Sequence, residues 1–167
     1  MTPEQVKLVQ DTFAAVRPIA PQAAAMFYDR LFTIAPDVRS LFPTDLMEQK
    51  KKLIAMIGTA VGNLHQLEKI VPVVQDLGRR HATYGVRSLH YQSVGEALVW
   101  TLSAGLGAAF TDSVRHAWMA AYSTLATVMS EAAATSEPDA RSRSTGDICG
   151  AGGIDTLVGG SEICAQG

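Results

Sequence analysis

The spacing of apolar residues constrains the fold of this chain more than any other feature. Apolar side chains recur at three- and four-residue steps through about the first 130 residues, which is the period of a helix with one buried face. No stretch shows the sustained alternation with a period of two that is typical of a strand, and no repeat of fixed period is present. The sequence therefore predicts an all-α domain.

Prolines and small polar residues mark where these helices begin. The segment 2–5 reads Thr-Pro-Glu-Gln, which combines an N-cap, a proline in the first helical turn and a glutamine at the third position. Pro43 is expected to stop the short third helix just after Phe42. The predicted helix starts are Thr2, Pro21, Pro36, Asp45, Leu67, Ser88 and Thr111.

The charge balance and the apolar runs exclude several classes of function. The 167-residue chain has a formal net charge of −2 and a pI near 6.0, so it has no basic surplus for nucleic acid. No apolar run reaches the roughly 20 residues of a membrane span, and Met1 leads into a helix start rather than a signal peptide. We therefore expect a single-domain cytoplasmic protein without a membrane span.

The last part of the chain differs in composition from the rest. Half of the 14 glycines lie there, among Ser, Thr, Asp and Ala residues with little periodicity. Cys149 and Cys164 have no His or second Cys at metal-ligand spacing, and a disulfide between them would need an oxidising compartment. We predict a folded domain over 1–133 and a flexible, disordered tail over 134–167, with marginal order around 154–158.

The four histidines are the candidate metal ligands. His81 continues the apolar stripe of its helix, whereas His65, His90 and His116 lie at helix ends or beside a charged residue. No HExxH motif, no pair of histidines four residues apart and no acidic cluster supports a zinc or di-iron site. A histidine on an apolar helix face is usually a packed core residue, but it is also the single axial ligand that haem takes. Both interpretations of His81 remain open at this point.

Four separated segments, in the expected order, resemble the bacterial haemoglobins and the globin half of flavohaemoglobins. The similarity extends over roughly residues 2 to 131, and the pairs Ala117-Trp118 and Ala121-Tyr122 support it. It implies a globin fold, a three-over-three helical sandwich around haem b that binds O2, NO and CO. The segments are Met26–Phe32, Ser40–Phe42, Arg80–Tyr84 and His90–Glu96.

The resemblance implies roles for the iron ligand and for the residues of the distal side. His81 matches the proximal iron ligand, and Tyr28 matches the tyrosine that donates its hydroxyl proton to bound gas. Gln49 falls where the family often has a distal glutamine, although an exposed helix former is the alternative at that position. The residues that would line the pocket are Phe42, Leu53, Ile57, Val94 and Leu98.

On the proximal side the family hydrogen-bonds the histidine to a tyrosine and a glutamate, which increases electron donation to iron. Tyr91 matches the tyrosine. Counted from Trp118 without a gap, the family's glutamate falls at Ala133, whereas the carboxylates present nearby are Glu131 and Glu137. Glu131 is the candidate, but an offset of two residues turns a helix by about 200°. Peroxidase-like chemistry therefore does not follow from the resemblance.

The resemblance leaves the function open between several alternatives. The first is a globin that binds oxygen reversibly for storage or delivery. The second is a nitric oxide dioxygenase; because the chain has no GxGxxG, we expect it to use a separate reductase. A gas sensor is a third. A haem-free interaction module is a fourth, against which His81, Phe42 and Tyr28 together argue. Monomer and homodimer are equally compatible with the sequence.

Overall fold

The structure, a computed structural model, describes residues 1–135. The predicted tail from residue 136 onward, with both cysteines and the segment 154–158, lies outside the described residues. Residues 1–135 contain helices and no strand, which confirms the predicted all-α class. None of their helices is long and apolar enough to cross a membrane. The α-helices are α1 (Pro3–Val16), α2 (Ala20–Ile34), α3 (Met47–Gly62), α4 (Leu67–Thr83), α5 (Ser88–Leu106) and α6 (Asp112–Ala134).

Short 3-10 segments link several of these helices. Arg17–Ile19 joins α1 to α2, Pro36–Leu41 follows α2, Leu64–Gln66 joins α3 to α4, and Gly107–Ala109 follows α5. The third predicted helix is therefore a 3-10 segment, and Phe42 lies directly after it. A 3-10 segment rises more steeply than an α-helix, so it turns the chain between α2 and α3 within few residues.

Two of the predicted helix caps are confirmed. The Thr2 hydroxyl accepts from the Gln5 backbone N–H at 3.2 Å, and the Gln5 side chain accepts from the Thr2 N–H at 2.9 Å. The Thr111 hydroxyl accepts from the Val114 N–H at 3.3 Å. These bonds satisfy backbone donors that the first turn of a helix otherwise leaves unpaired.

The predicted cap at Ser88 is wrong. Ser88 is the first residue of α5, and Arg87 is the N-cap. The ring nitrogen Nδ1 of His90 accepts from the Arg87 backbone N–H at 3.1 Å, as the side chain at the third position does in a capping box. The third position of a capping box is usually Glu or Gln; the histidine here moves the helix start by one residue.

Two adjoining apolar clusters form the core. One gathers buried residues of α1, α3, α5 and α6 around Trp118, whose indole N–H donates to the Thr12 hydroxyl at 2.9 Å. The other joins α2, the segment Pro36–Leu41 and α5 around Tyr28. Leu98 of α5 packs against both clusters, so this helix connects the two halves of the core.

Helix α4 approaches α6 very closely at Gly78. A Cβ atom at this position would lie 2.7 Å from the Cα atom of Met129, and closer still to the Met129 carbonyl oxygen. Real Cβ atoms do not approach backbone at that distance, so only glycine permits this crossing. Because His81 lies three residues further along α4, the contact at Gly78 fixes where that histidine stands relative to α6.

Candidate functional site

His81 lies in the last turn of α4 with its ring partly buried. Its Nδ1 atom is 2.8 Å from the carbonyl oxygen of Leu77. A carbonyl oxygen can only accept, so Nδ1 carries a proton, and in the neutral form of the ring the lone pair is then on Nε2. Within residues 1–135, Nε2 has no hydrogen-bond partner. This tautomer presents a neutral imidazole nitrogen of the kind that metals bind.

The chain turns sharply just after His81. The backbone N–H of Val86 donates to the His81 carbonyl oxygen at 3.0 Å, and Gly85 has a φ of 82°. That positive φ lies in the left-handed region, which glycine adopts without steric cost. The turn closes the carbonyl end of α4, and it holds His81 in the helix rather than in a loop.

A polar network joins this turn to the segment Pro36–Leu41, with an exposed Arg87–Asp37 ion pair beside a buried histidine. His90 is 4% exposed, and its Nε2 donates to the Asp37 carboxylate at 3.2 Å. The guanidinium of Arg87 donates to the same carboxylate oxygen at 3.2 Å. The network connects the chain after His81 with the chain before Phe42, so His90 positions two parts of the site and both of its ring nitrogens are engaged.

Tyr28 of α2 is 2% exposed and lies among three phenylalanine rings. Its ring centroid is 5.1 Å from that of Phe27, 5.8 Å from Phe32 and 5.5 Å from Phe42. Burial raises the pKa of the Tyr28 hydroxyl to about 12. The hydroxyl therefore remains a proton donor throughout the neutral range.

The structure brings most of the predicted pocket residues together. Phe42, Leu53, Val94 and Leu98 all pack against the cluster that contains Tyr28, while Ile57 packs against the neighbouring cluster. These side chains come from α3, α5 and the residue that follows Pro36–Leu41, yet they form one continuous apolar region. Such a region excludes water from a metal site and slows oxidation of the metal.

Gln49 lies in the first turn of α3 and is partly buried. Its backbone carbonyl oxygen accepts from the Tyr28 hydroxyl at 3.5 Å, which is long for a hydrogen bond between oxygen atoms. The contact between the two residues thus uses the Gln49 backbone. A weak bond of this kind leaves the Tyr28 hydroxyl available to a better acceptor.

A small apolar cavity of about 30 Å³ adjoins the residues packed around Tyr28. Its walls include Leu53, Ile57 and Leu98 together with Phe27 and Trp118. An apolar cavity of this size has room for about one small molecule, and it stays dry because water would find no polar partner there.

Tyr91 and Glu131 differ from the arrangement that the resemblance implied. The Tyr91 ring lies nearly parallel to that of His81, at 23° with 6.4 Å between centroids. Burial raises the pKa of its hydroxyl, and its carbonyl accepts from the Tyr122 hydroxyl at 2.6 Å. Glu131 is exposed, and within residues 1–135 its side chain forms no hydrogen bond with His81 or Tyr91. The bonded partner of His81 is the Leu77 carbonyl, which sequence reasoning missed.

These residues fit a haem group. His81 offers a free Nε2 on an imidazole oriented by a carbonyl, and the Tyr28 cluster supplies apolar walls with one hydroxyl donor. In the described part of the chain, no three His, Cys, Asp or Glu side chains are grouped as a competing metal site would require. The donor set is therefore that of a single axial histidine beside an apolar, largely aromatic pocket.

Comparison with known proteins agrees with this geometry. The globin family model matches residues 25–129. A flavohemoprotein of Bacillus subtilis is 28% identical over 124 residues, which are 72% of this chain but 31% of that protein. A neuroglobin of Dissostichus mawsoni is 31% identical over 125 residues, which are 66% of this chain and 78% of the relative. The chain thus spans about a third of the flavohemoproteins it matches.

Solved structures show the same fold. A bacterial globin from Campylobacter jejuni aligns with a TM-score of 0.72 and 25% identity, over 80% of this chain and 97% of the other. An engineered carbene transferase from Rhodothermus marinus, whose parent is provisionally named a nitric oxide dioxygenase, aligns with a TM-score of 0.73 and 25% identity, over 81% and 94% of the two chains. The chain belongs to the globin family, a family of haem-binding proteins, and it resembles the bacterial globins and the globin part of flavohemoproteins.

Proposed function

We propose that this globin binds oxygen reversibly at ferrous haem b, with His81 as the proximal ligand and Tyr28 as the donor to the bound gas. The observation that carries the proposal is the buried Tyr28 hydroxyl, which stays protonated among apolar rings. When bound, the haem supplies a ferrous iron that takes up diatomic gases, O2, NO and CO among them. The chain has no CxxCH motif for covalent attachment, which favours haem b.

His81 holds its tautomer through a neutral acceptor. The Leu77 carbonyl fixes the proton on Nδ1 and the orientation of the ring. A carbonyl withdraws that proton less strongly than a carboxylate would, so the imidazole donates less electron density through Nε2. This favours reversible binding over cleavage of the O–O bond, because cleavage is promoted by a strongly donating axial ligand.

Tyr28 and its neighbours act on the other side. A gas ligand with partial negative charge would accept a hydrogen bond from the Tyr28 hydroxyl more strongly than the Gln49 carbonyl, which lies 3.5 Å from that hydroxyl. Phe42, Leu53 and Ile57 exclude water from the same space. The Gln49 side chain is a second candidate donor, because Tyr28 already contacts the backbone carbonyl of the same residue.

Nitric oxide dioxygenation is the second candidate. The similarity to flavohemoproteins and to the Rhodothermus marinus structure favours it. This chain spans 31% of the Bacillus subtilis relative, and repeated turnover would need electrons from a reductase. Tyr28 and His81 would keep the positions and the hydrogen bonds described above.

One kinetic experiment tests the proposal and separates the two candidates. One sample of the reduced, oxygenated protein is mixed with carbon monoxide, to measure oxygen release, and a second sample is mixed with excess NO, with and without a flavin-containing reductase and its nicotinamide donor. We expect full exchange of oxygen for carbon monoxide. We expect NO consumption to stop after one NO per haem. Sustained NO consumption with the reductase would instead establish the dioxygenase, and immediate oxidation in air would contradict reversible binding.

A further inference from the structure

A large groove lies between α5 and α6, with a residue of α2 at its margin. Its volume is about 930 Å³, within the range of pockets that hold small organic molecules. We call it the α5–α6 groove. The residues that matter for its chemistry are Arg30, Tyr91, Trp100, Arg115, Met119 and Tyr122.

The groove contains two guanidinium groups without a carboxylate partner. Arg30 lies over the Trp100 ring, 5.4 Å from its centroid, and Arg115 lies over Phe110 at 5.8 Å. Within residues 1–135 neither arginine has a carboxylate oxygen within 4.0 Å, and Glu96 is the single acidic residue of the groove lining. The aromatic rings hold both cations in place, while their charge remains available to an anion.

Arg30 also has an unsatisfied donor. Its Nε atom is buried and has no hydrogen-bond partner, and it is the one such side-chain atom found among residues 1–135. A buried donor without an acceptor is unfavourable, and a carboxylate bound to the guanidinium would satisfy it once the flexible Arg30 side chain moves to expose Nε. Arginine suits this role because its planar fork of donors matches the two oxygens of a carboxylate.

The remaining wall of the groove is apolar and accessible. Trp100 is 42% exposed and Met119 is 50% exposed, although both are large apolar side chains. Methionine and tryptophan at such positions accommodate flat or flexible hydrocarbon groups of varied shape. A molecule that contacts both the arginine side and the apolar side of the groove therefore needs an anionic head and an apolar body.

We infer that the α5–α6 groove binds a small amphipathic organic carboxylate, its head on Arg30 and its apolar body against Trp100 and Met119. The groove is also connected to His81 through the side chain of Tyr91. Tyr91 lines it and stacks on His81, and the Tyr122 hydroxyl fixes the Tyr91 carbonyl at 2.6 Å. This second part rests on the proposed function: an occupant that contacts Tyr91 changes the environment of His81, and thereby the gas affinity.

Calorimetry on the haem-loaded, full-length protein tests the groove. The probe is 1-naphthaleneacetate, and its neutral analogue 1-naphthaleneacetamide is the matched control ligand. We expect the carboxylate to bind about tenfold more tightly than the amide, because it forms charge-assisted hydrogen bonds with Arg30. Arg30→Gln should remove this preference, and Trp100→Ala should weaken both ligands. Arg17→Gln, at an exposed arginine outside the groove, should change neither.

Three results would overturn the inference: no binding of 1-naphthaleneacetate, equal binding of the two ligands, or unchanged binding of the carboxylate in a folded Arg30→Gln variant. Circular dichroism establishes that the variant is folded. The link to His81 is read separately, from the ferrous absorption spectrum, which should shift on saturation with the carboxylate and should not shift in Arg30→Gln. Failure of the protein to bind gas would contradict the proposed function and leave the calorimetric result standing.

Discussion

The two sides of the candidate haem site are held together by different kinds of contact. Around Tyr28, side chains contact side chains: three phenylalanine rings bury the hydroxyl. Around His81, most of the contacts involve backbone atoms. The Leu77 carbonyl orients the ring, and the absence of a side chain at Gly78 lets the Met129 backbone of α6 approach α4 closely. The distal side should therefore respond to changes of chemical group, and the proximal side to changes in helix position.

Removal of the histidine is the largest perturbation of the proximal side. His81→Ala deletes the nitrogen that we assign to iron, and no other histidine can replace it from the same helix. We expect loss of stable haem retention, measured as Soret absorbance per protein after gel filtration. His116→Ala, at an exposed position on α6, should retain haem fully. Equal retention in both variants would remove His81 from the proximal role.

Gly78→Ala tests the importance of helix position without touching the histidine. The added methyl group would clash with the Met129 backbone, which cannot rotate away, and overpacking of this kind costs about 1 to 3 kcal/mol. Denaturant unfolding should show this loss, together with a changed haem spectrum. Gly62→Ala is the control, because a Cβ there meets nothing within 4 Å and should stabilise the helix by about 0.4 to 1 kcal/mol. Similar effects at both glycines would contradict the close crossing.

Tyr28→Phe tests the distal side by removing one oxygen atom. Loss of a hydrogen bond worth about 1 to 2 kcal/mol should speed oxygen dissociation roughly tenfold, as measured by stopped-flow exchange with carbon monoxide. Tyr84→Phe, at a tyrosine that is 65% exposed, should leave the rate unchanged. An unchanged rate in Tyr28→Phe would remove Tyr28 from the distal role.

The raised pKa of Tyr28 predicts a loss of stability in alkali. Its unfolded value is near 10.0 and its folded value is about 12, so the folded state favours the protonated form. The stability that this provides is complete below pH 10 and is lost as pH rises through 12, because only the unfolded chain releases the proton early. Unfolding at pH 8 and pH 11 should show a smaller decrease in Tyr28→Phe than in the wild type. Equal decreases would contradict the pKa shift.

The smallest effect is expected at the residues that the family pattern assigns to proximal electron donation. Glu131 is exposed and bonds to neither His81 nor Tyr91, so Glu131→Gln should leave the iron–histidine vibration in resonance Raman spectra unchanged. Tyr91→Phe keeps the ring that stacks on His81, and it should change that vibration only slightly. A marked decrease in either variant would show that a carboxylate–tyrosine network acts on the histidine after all.

The features predicted from the sequence are local or periodic. Helical spacing gave the all-α class, and Thr2 and Thr111 marked helix starts through bonds that span three residues. Features that depend on distant contacts were missed, such as the crossing at Gly78 and the Asp37–His90 bond across 53 positions. The Leu77 carbonyl was missed for another reason: every residue has a carbonyl, so residue identity does not reveal which one His81 contacts.

An absorption spectrum of the purified full-length protein tests the central claim most directly. It is recorded as isolated, after reduction with dithionite, and after addition of carbon monoxide, with haem reconstitution if the isolated protein is colourless. The account predicts a Soret band that sharpens and shifts on carbon monoxide binding, with one carbon monoxide bound per haem. Absence of a Soret band after reconstitution, or a reduced spectrum that carbon monoxide does not change, would contradict a histidine-ligated haem with an open distal side.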